Sequence, residues 1–209
     1  MTDRPLVLIG GSFNPFTNAH KAMALAVREK IPDSTIVYVP GNLDYLAKWK
    51  ALPEEEVFSG KNRIRLITKC TEGIRNCFVS AYETLHSGKT YDAVQHFRLH
   101  KNNEIYLCIG SDKLEELESW YQITKLIDIA KFLVLTRGSS IDDCKSDFVK
   151  MHRDRFIEIP FDYLDVSSTR VRQLYKEGNF DEIEKLVPEP VYEYLEDAWI
   201  KAHYIQKGK

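Results

Sequence analysis

No apolar run in this 209-residue chain approaches the roughly 20 residues needed to cross a membrane. Asp3 and Arg4 precede the first apolar stretch, Leu6 to Ile9, which is too short for a signal-peptide core. An excess of one charge is also lacking, since 29 Lys and Arg stand against 31 Asp and Glu for a formal net charge of -2. No global field therefore recruits nucleic acid or an anionic membrane, and any anion site must be local. Cys70, Cys77, Cys108 and Cys144 form no Cys-x-x-Cys pair and have no histidine at metal-ligand spacing. A structural zinc is not expected, the thiols read as reduced, and the cytosol is the expected compartment. Internal repeats, low-complexity tracts and extended linkers are missing. So are the two common glycine-rich phosphate signatures, Gly-x-x-x-x-Gly-Lys-Ser/Thr and Gly-x-Gly-x-x-Gly.

What is present is concentrated near the start. Leu6-Val7-Leu8-Ile9 is a short apolar run of the kind that forms a parallel strand buried on both faces. It ends in Gly10-Gly11-Ser12, passes through Phe13-Asn14-Pro15, and enters a segment of helix formers at Thr17 to His20. Glycines after a strand permit backbone angles and close approaches that a side chain would block. The unpaired N–H groups at the helix start would face the same turn and favour a bound anion such as phosphate. The plainer alternative is a tight strand-to-helix turn in which His20 caps or packs.

Strands and helices then alternate. Strands are expected over 35–39, 77–80, 104–109, 131–136 and 155–159, with helices over 62–72, about 92–100, 113–118 and 123–130. Residues 41–60 have no clean period and read as a long loop carrying Lys48 and Lys50, either of which could reach a phosphate. Asp92 is placed to cap the helix that follows it. The strand ending at Ile109 meets a second small-residue turn, Gly110-Ser111-Asp112, so two strand ends are candidates to share one crevice. Asp112 is equally placed to serve as a helix N-cap.

Near residue 166 comes Val166-Ser167-Ser168-Thr169-Arg170-Val171-Arg172, a helix start with three hydroxyls and two arginines, leading into a helix over 169–176 that stops at Gly178. This is a second phosphate-binding arrangement. Amphipathic helices over 180–186 and 191–202 follow, so the pattern is an α/β sheet domain with a helical C-terminal extension.

Taken together, Gly10 to Pro15, Thr17-Asn18-Ala19-His20 and Ser167 to Arg172 resemble the nucleotidyltransferase superfamily, with its (His/Thr)-x-Gly-His and Ser-Ser-Thr-x-x-Arg motifs. Gly110-Ser111-Asp112, Trp120 and Arg137-Gly138 make the chain similar to nicotinate/nicotinamide mononucleotide adenylyltransferases, and the likeness runs from the first strand through Tyr192-Glu193-Tyr194-Leu195. In two places the chain departs from the pattern. Thr17 stands where most bacterial members have histidine, and Ala19 replaces the motif glycine.

The resemblance implies a Rossmann-like doubly wound parallel sheet with a small helical C-terminal extension. It divides the chain into a core over 1–165 and a helical part over 166–209 that form one structural unit. It implies transfer of the AMP moiety of ATP to nicotinic acid mononucleotide or nicotinamide mononucleotide, with release of pyrophosphate. His20, Lys48 and Arg172 are the implied catalytic residues. ATP is expected to meet Gly11, Ser12, Phe13, Thr17, His20, Gly110, Asp112, Ser167, Ser168, Thr169 and Arg172. The mononucleotide is expected to meet Ser12, Lys48, Thr90, Trp120 and Arg137, with Trp120 stacking the pyridine ring. Mg2+ would arrive with ATP rather than in a protein cage. Acid or amide preference is not legible, and a homo-oligomer is allowed. Two alternatives stay open: an adenylyl- or cytidylyltransferase for another acceptor such as phosphopantetheine, and a non-catalytic nucleotide-binding protein of the same fold.

Overall fold

The structure, a computed structural model, describes residues 4–42, 58–100, 104–136, 138, 140–162 and 166–202. Six strands make one sheet: β1 (Leu6–Gly11), β2 (Thr35–Pro40), β3 (Cys77–Val79), β4 (Ile105–Gly110), β5 (Lys131–Thr136) and β6 (Phe156–Pro160). Their order is β3-β2-β1-β4-β5-β6, and all neighbours pair in parallel. The strand order changes direction at β1, which is flanked by β2 and β4, and the crevice of such a sheet lies beyond the carboxyl ends of its strands at that point.

Alternation along each strand sorts the core into two layers. Val7, Ile9, Ile36, Tyr38, Cys108, Leu133, Leu135 and Ile159 face one way. They meet the buried sides of α1 (Asn18–Lys30), α2 (Gly60–Cys70), α7 (Ser168–Glu177), α8 (Phe180–Leu186) and α9 (Glu189–Ile200). Leu6, Leu8, Val37, Val39, Leu107, Ile109, Phe132, Val134 and Phe156 face the other way, toward α4 (Thr90–His100), α5 (Ile123–Ile129) and α6 (Asp147–Met151). The remaining helix, α3 (Tyr82–Leu85), follows β3. The doubly wound sheet is therefore observed. Residues of the C-terminal helices, Val171, Leu174, Ile183, Val191 and Leu195, are buried in the same cluster as the sheet, each contributing about 1.5–3 kcal/mol by leaving water.

Several expected boundaries move, each for a local reason. β1 runs on through Gly10 and Gly11, which pair with Val39 and Pro40, so the glycines lie in the strand rather than in the turn. α2 starts at Gly60 because the Ser59 hydroxyl caps it by accepting from Asn62 N–H. α4 starts at Thr90, so Asp92 lies in its first turn rather than at its cap, and its carboxylate accepts from the Ser87 hydroxyl at 2.7 Å. The helix expected over 113–118 is two 3-10 turns, Ser111–Lys113 and Leu117–Ser119, and Asp112 sits inside the first instead of capping it. The polar stretch after β5 holds a 3-10 turn, Ile141–Asp143, and the short α6. Among the described residues no helix is long and apolar enough to cross a membrane.

Candidate functional site

The chain between β1 and α1 is a buried loop: Phe13, Asn14, Phe16 and Thr17 are all within 1% of fully buried. Phe13 has a φ of +47°, a left-handed conformation uncommon for a bulky residue. Its ring turns back over β1, where a Cβ at position 11 would fall 2.9 Å from Cζ of Phe13, so that position must be glycine. No such crowding applies at Gly10. The Phe13 ring packs edge-on against His20 and Tyr38, with centroids 5.0 and 5.5 Å away. The Asn14–Pro15 peptide bond is cis.

The carbonyls of this loop are taken up by donors from distant parts of the chain. Gly11 C=O accepts from Gly41 N–H at 2.9 Å, just past β2. Ser12 C=O accepts from Nη1 of Arg63 at 2.9 Å, from α2. Asn14 C=O accepts from Nη1 of Arg172 at 2.8 Å, and Pro15 C=O from the Ser168 hydroxyl at 2.8 Å, both from α7. The C=O and N–H of a trans peptide point in opposite directions. Pulling the Gly11, Ser12 and Pro15 carbonyls toward the protein therefore turns the Ser12, Phe13 and Phe16 N–H groups the other way. The loop at the switch point of the sheet is thus held through its carbonyls by donors from the end of β2, from α2 and from α7.

His20 is fixed just as closely. Thr17 caps α1, with its hydroxyl accepting from His20 N–H at 3.4 Å and its own N–H donating to Nδ1 of His20 at 2.9 Å, a reciprocal capping box. The Thr17 hydroxyl lies 3.0 Å from the same nitrogen. Because Nδ1 accepts from Thr17 N–H, the proton of the neutral ring belongs on Nε2, which makes that edge a donor. The capping reading and the functional one are therefore compatible. The Tyr38 hydroxyl donates to His20 C=O at 2.6 Å, tying the first turn of α1 to β2. Ala19, the departure from the motif, is buried and accommodated beside it.

At the start of α7 each hydroxyl already has a protein partner. Ser167 caps the helix by accepting from Arg170 N–H, Ser168 holds Pro15, and Thr169 Oγ1 accepts from Nη2 of Arg172 at 3.3 Å. The first loop and the second motif, more than 150 positions apart, are thereby joined directly, Ser168 to Pro15 and Arg172 to Asn14.

On the neighbouring strand, Gly110 ends β4, and Asp112 is exposed at its tip. A Cβ at position 110 would lie 2.3 Å from Oδ1 of Asp112, so the glycine makes room for that carboxylate. Asp112 also lies 3.4 Å from Nζ of Lys113. Trp120 follows the second 3-10 turn and is half-buried against the second core layer, while Thr90 begins α4. Lys48, Lys50 and Arg137 lie outside the described residues.

Sequence reasoning missed Arg63. It is 1% exposed, its Nε donates to Phe58 C=O at 3.0 Å and its Nη1 to Ser12, and its Nη2 meets no acceptor among the described residues. Burial pulls its pKa down to about 10. The signal was available: Arg63, Leu66, Ile67 and Cys70 occupy the i, i+3, i+4, i+7 stripe that α2 buries, so a charge stands on an apolar face. Asn14 makes the companion link, its Oδ1 accepting from Phe58 N–H at 2.9 Å.

A six-stranded parallel sheet in the order 3-2-1-4-5-6, with helix starts gathered beyond β1, defines a Rossmann-like α/β protein. The cytidylyltransferase-like family model matches residues 8–174, and the chain belongs to that family. Among solved structures it is similar to Plasmodium falciparum nicotinic acid mononucleotide adenylyltransferase complexed with APC. That match has a TM-score of 0.65 at 22% identity and covers 99% of this chain and 98% of the other. The same Plasmodium enzyme complexed with NaAD matches at TM-score 0.65 and 23% identity over 99% and 98% of the two chains. A crystal structure from Vibrio parahaemolyticus, provisionally described as a nicotinate-nucleotide adenylyltransferase, matches at TM-score 0.64 and 16% identity over 92% and 98%.

Proposed function

We propose that this chain is an adenylyltransferase of NAD biosynthesis, joining the AMP moiety of ATP to nicotinic acid mononucleotide or nicotinamide mononucleotide. The observation that carries the reading is the loop after β1, whose carbonyls are held inward by Gly41, Arg63, Arg172 and Ser168. An oxygen of the mononucleotide 5′-phosphate attacks the α-phosphorus of ATP, the bond from that phosphorus to the bridging oxygen breaks, and pyrophosphate leaves. The attacking group is already an anion, so no protein nucleophile is needed. Positioning and stabilisation of developing charge supply the catalysis.

In this reading the Ser12 and Phe13 amides and Nε2–H of His20 hold the transferring phosphate. The α7 start, with Ser167, Ser168, Thr169 and Arg172, holds the β- and γ-phosphates, with Lys48 or Lys50 reaching in. Asp112 takes a ribose hydroxyl, Trp120 stacks the pyridine ring, and Thr90 and Arg137 line the mononucleotide. Among the described residues no group of three His, Cys, Asp or Glu is arranged to hold a metal. Mg2+ is proposed to enter on the ATP phosphates and to leave with pyrophosphate.

The test is incubation of the purified protein with Mg2+, either ATP or CTP, and nicotinic acid mononucleotide, nicotinamide mononucleotide or phosphopantetheine. Dinucleotide from ATP and a pyridine mononucleotide is the expected product. Turnover only with CTP or phosphopantetheine assigns a different transferase, and nucleotide binding without pyrophosphate assigns a non-catalytic protein.

A further inference from the structure

Thr17 fixes the ring of His20 to its own helix, but a donor is only as well placed as the helix that carries it. The side chains that α1 buries are Ala19, Ala22, Ala24 and Val27. Alanines offer few interlocking knobs against a sheet, so packing alone sets the position of this helix loosely. Its far end is anchored by Arg28, whose Nη1 donates to the carbonyls of Pro32 at 2.7 Å and Ser34 at 2.6 Å. At the near end, where His20 sits, Asn18 Nδ2 donates to Lys185 C=O at 3.1 Å in an exposed place. Tyr38, 0% exposed, reaches the same turn from within the sheet, its hydroxyl donating to His20 C=O at 2.6 Å.

Tyr38 stands in β2 opposite Ile9 and Val79, on the face of the sheet that meets α1. An aliphatic side chain would serve the strand there, as Ile36 does two positions earlier. A buried hydroxyl is costly unless it finds a partner, and this one is spent on the first turn of α1. The amide of Ala24, the helical partner of His20 C=O, also faces the phenol oxygen. Burial raises the phenol pKa well above its ordinary value, so the hydroxyl stays a donor. The ring packs edge-on against Phe13 and Phe16, with centroids 5.5 and 5.4 Å away. Both of those rings in turn contact the imidazole of His20, at 5.0 and 5.5 Å.

We propose that Tyr38 is a positioning residue for the reaction, holding the first turn of α1 against β2 so that Nε2–H of His20 meets the transferring phosphate. Thr17 sets the imidazole relative to α1, and Tyr38 sets α1 relative to the sheet. The two constraints are separate, because Thr17 belongs to the same turn as His20 and moves with it. With no exposed surface, Tyr38 touches neither substrate, and its effect passes through His20. The proposal rests on the reading in which His20 donates to the transferring phosphate, a contact that adenylyl and cytidylyl transfer would share.

The experiment measures pyrophosphate release, with Mg2+ and the nucleotide and acceptor that wild type turns over, in wild type, Tyr38→Phe, His20→Ala and the double variant. Tyr38→Phe keeps the ring and its packing and loses only the hydroxyl. It should lower kcat about tenfold, short of the roughly hundredfold cost of a misplacement of about 1 Å, and leave KM for both substrates within about twofold. In the His20→Ala background the same change should lower kcat by less than about twofold, since no donor is left to position. Thermal melting checks that each variant is folded at the assay temperature. A tenfold loss repeated in the His20→Ala background assigns Tyr38 to packing alone and overturns the proposal. Full kcat in Tyr38→Phe, or a loss confined to KM, overturns it as well, and each of these leaves the adenylyltransferase reading standing. Turnover by wild type only with another nucleotide or acceptor removes the NAD reading without touching the proposal, whereas no pyrophosphate from any pair overturns both.

Discussion

Replacing Arg63 by methionine keeps the length and the apolar stem of the side chain and removes its charge and donors. Two carbonyls, Ser12 and Phe58, lose their partners in a buried place. Each orphaned carbonyl costs about 1–3 kcal/mol. Against that, holding the guanidinium in the interior is itself unfavourable, as its pKa pulled from 12.5 to about 10 attests, and methionine relieves about 3 kcal/mol of that cost. The two effects nearly cancel, so the net loss of stability should be small, about 1–2 kcal/mol, or roughly 3–6 °C in Tm for a chain of this size. Activity has no such compensation. Without Arg63 the Ser12–Phe13 peptide can rotate, and the loss of one preorganised donor costs about a hundredfold in turnover. Thermal melting and pyrophosphate release, measured well below the melting transition, separate the two. Arg63→Lys, whose ammonium cannot span both carbonyls as a fork can, should fall about tenfold. A full-strength kcat/KM in Arg63→Met, whatever its melting temperature, would refute the peptide-orientation argument.

Three further outcomes are expected. His20→Ala should lower kcat by about a hundredfold or more through loss of the Nε2 donor, and cost only about 1 kcal/mol from the broken capping box; near-normal turnover removes His20 from the reaction. Glu83, buried on α3, has its carboxyl pushed up from 4.5 to about 7 by burial. The folded state therefore holds a proton that the unfolded state releases, so the contribution of Glu83 to stability is greatest below about pH 4.5 and falls by up to about 3 kcal/mol as pH rises to about 7. Melting curves from pH 5 to 8 should show this decline and should lose it in Glu83→Gln; an unchanged slope in the variant assigns it elsewhere. Gly110→Ala puts a methyl where Oδ1 of Asp112 now sits, 2.3 Å away, and should displace that carboxylate with little change in Tm. The KM for ATP should rise about tenfold, the scale of one hydrogen bond to a charged group. An unchanged KM dissociates Asp112 from the ribose.

The central strands β1, β2, β4 and β5 are legible because parallel strands buried on both faces leave continuous apolar runs, whereas the edge strands β3 and β6 are only partly buried. Helix ends were less legible where capping chemistry was ambiguous. Asp92 and Asp112 each looked like an N-cap, yet Asp92 is drawn to Ser87 inside the first turn and Asp112 sits in a 3-10 turn. The two motifs stood out as separate short patterns, but their direct linkage depends on Ser168 meeting Pro15 and Arg172 meeting Asn14, which only the fold brings about. Arg63 has no place in the sequence motifs, and its position on the buried stripe of α2 is the indication that sets it apart. That each hydroxyl of Ser167, Ser168 and Thr169 also meets a protein partner, Arg170 N–H, Pro15 C=O and the Arg172 guanidinium, was likewise invisible before the fold placed them.

The loop after β1 depends on hydrogen bonds from Gly41, Arg63, Ser168 and Arg172, which are distributed along most of the chain. A chain emerging from the ribosome makes β1 and its glycines almost at once but lacks the last of these donors until residue 172 has been added. The backbone of this loop is therefore held at all four carbonyls only once α7 has joined the sheet, so its final shape is set late in synthesis although its residues are among the first made.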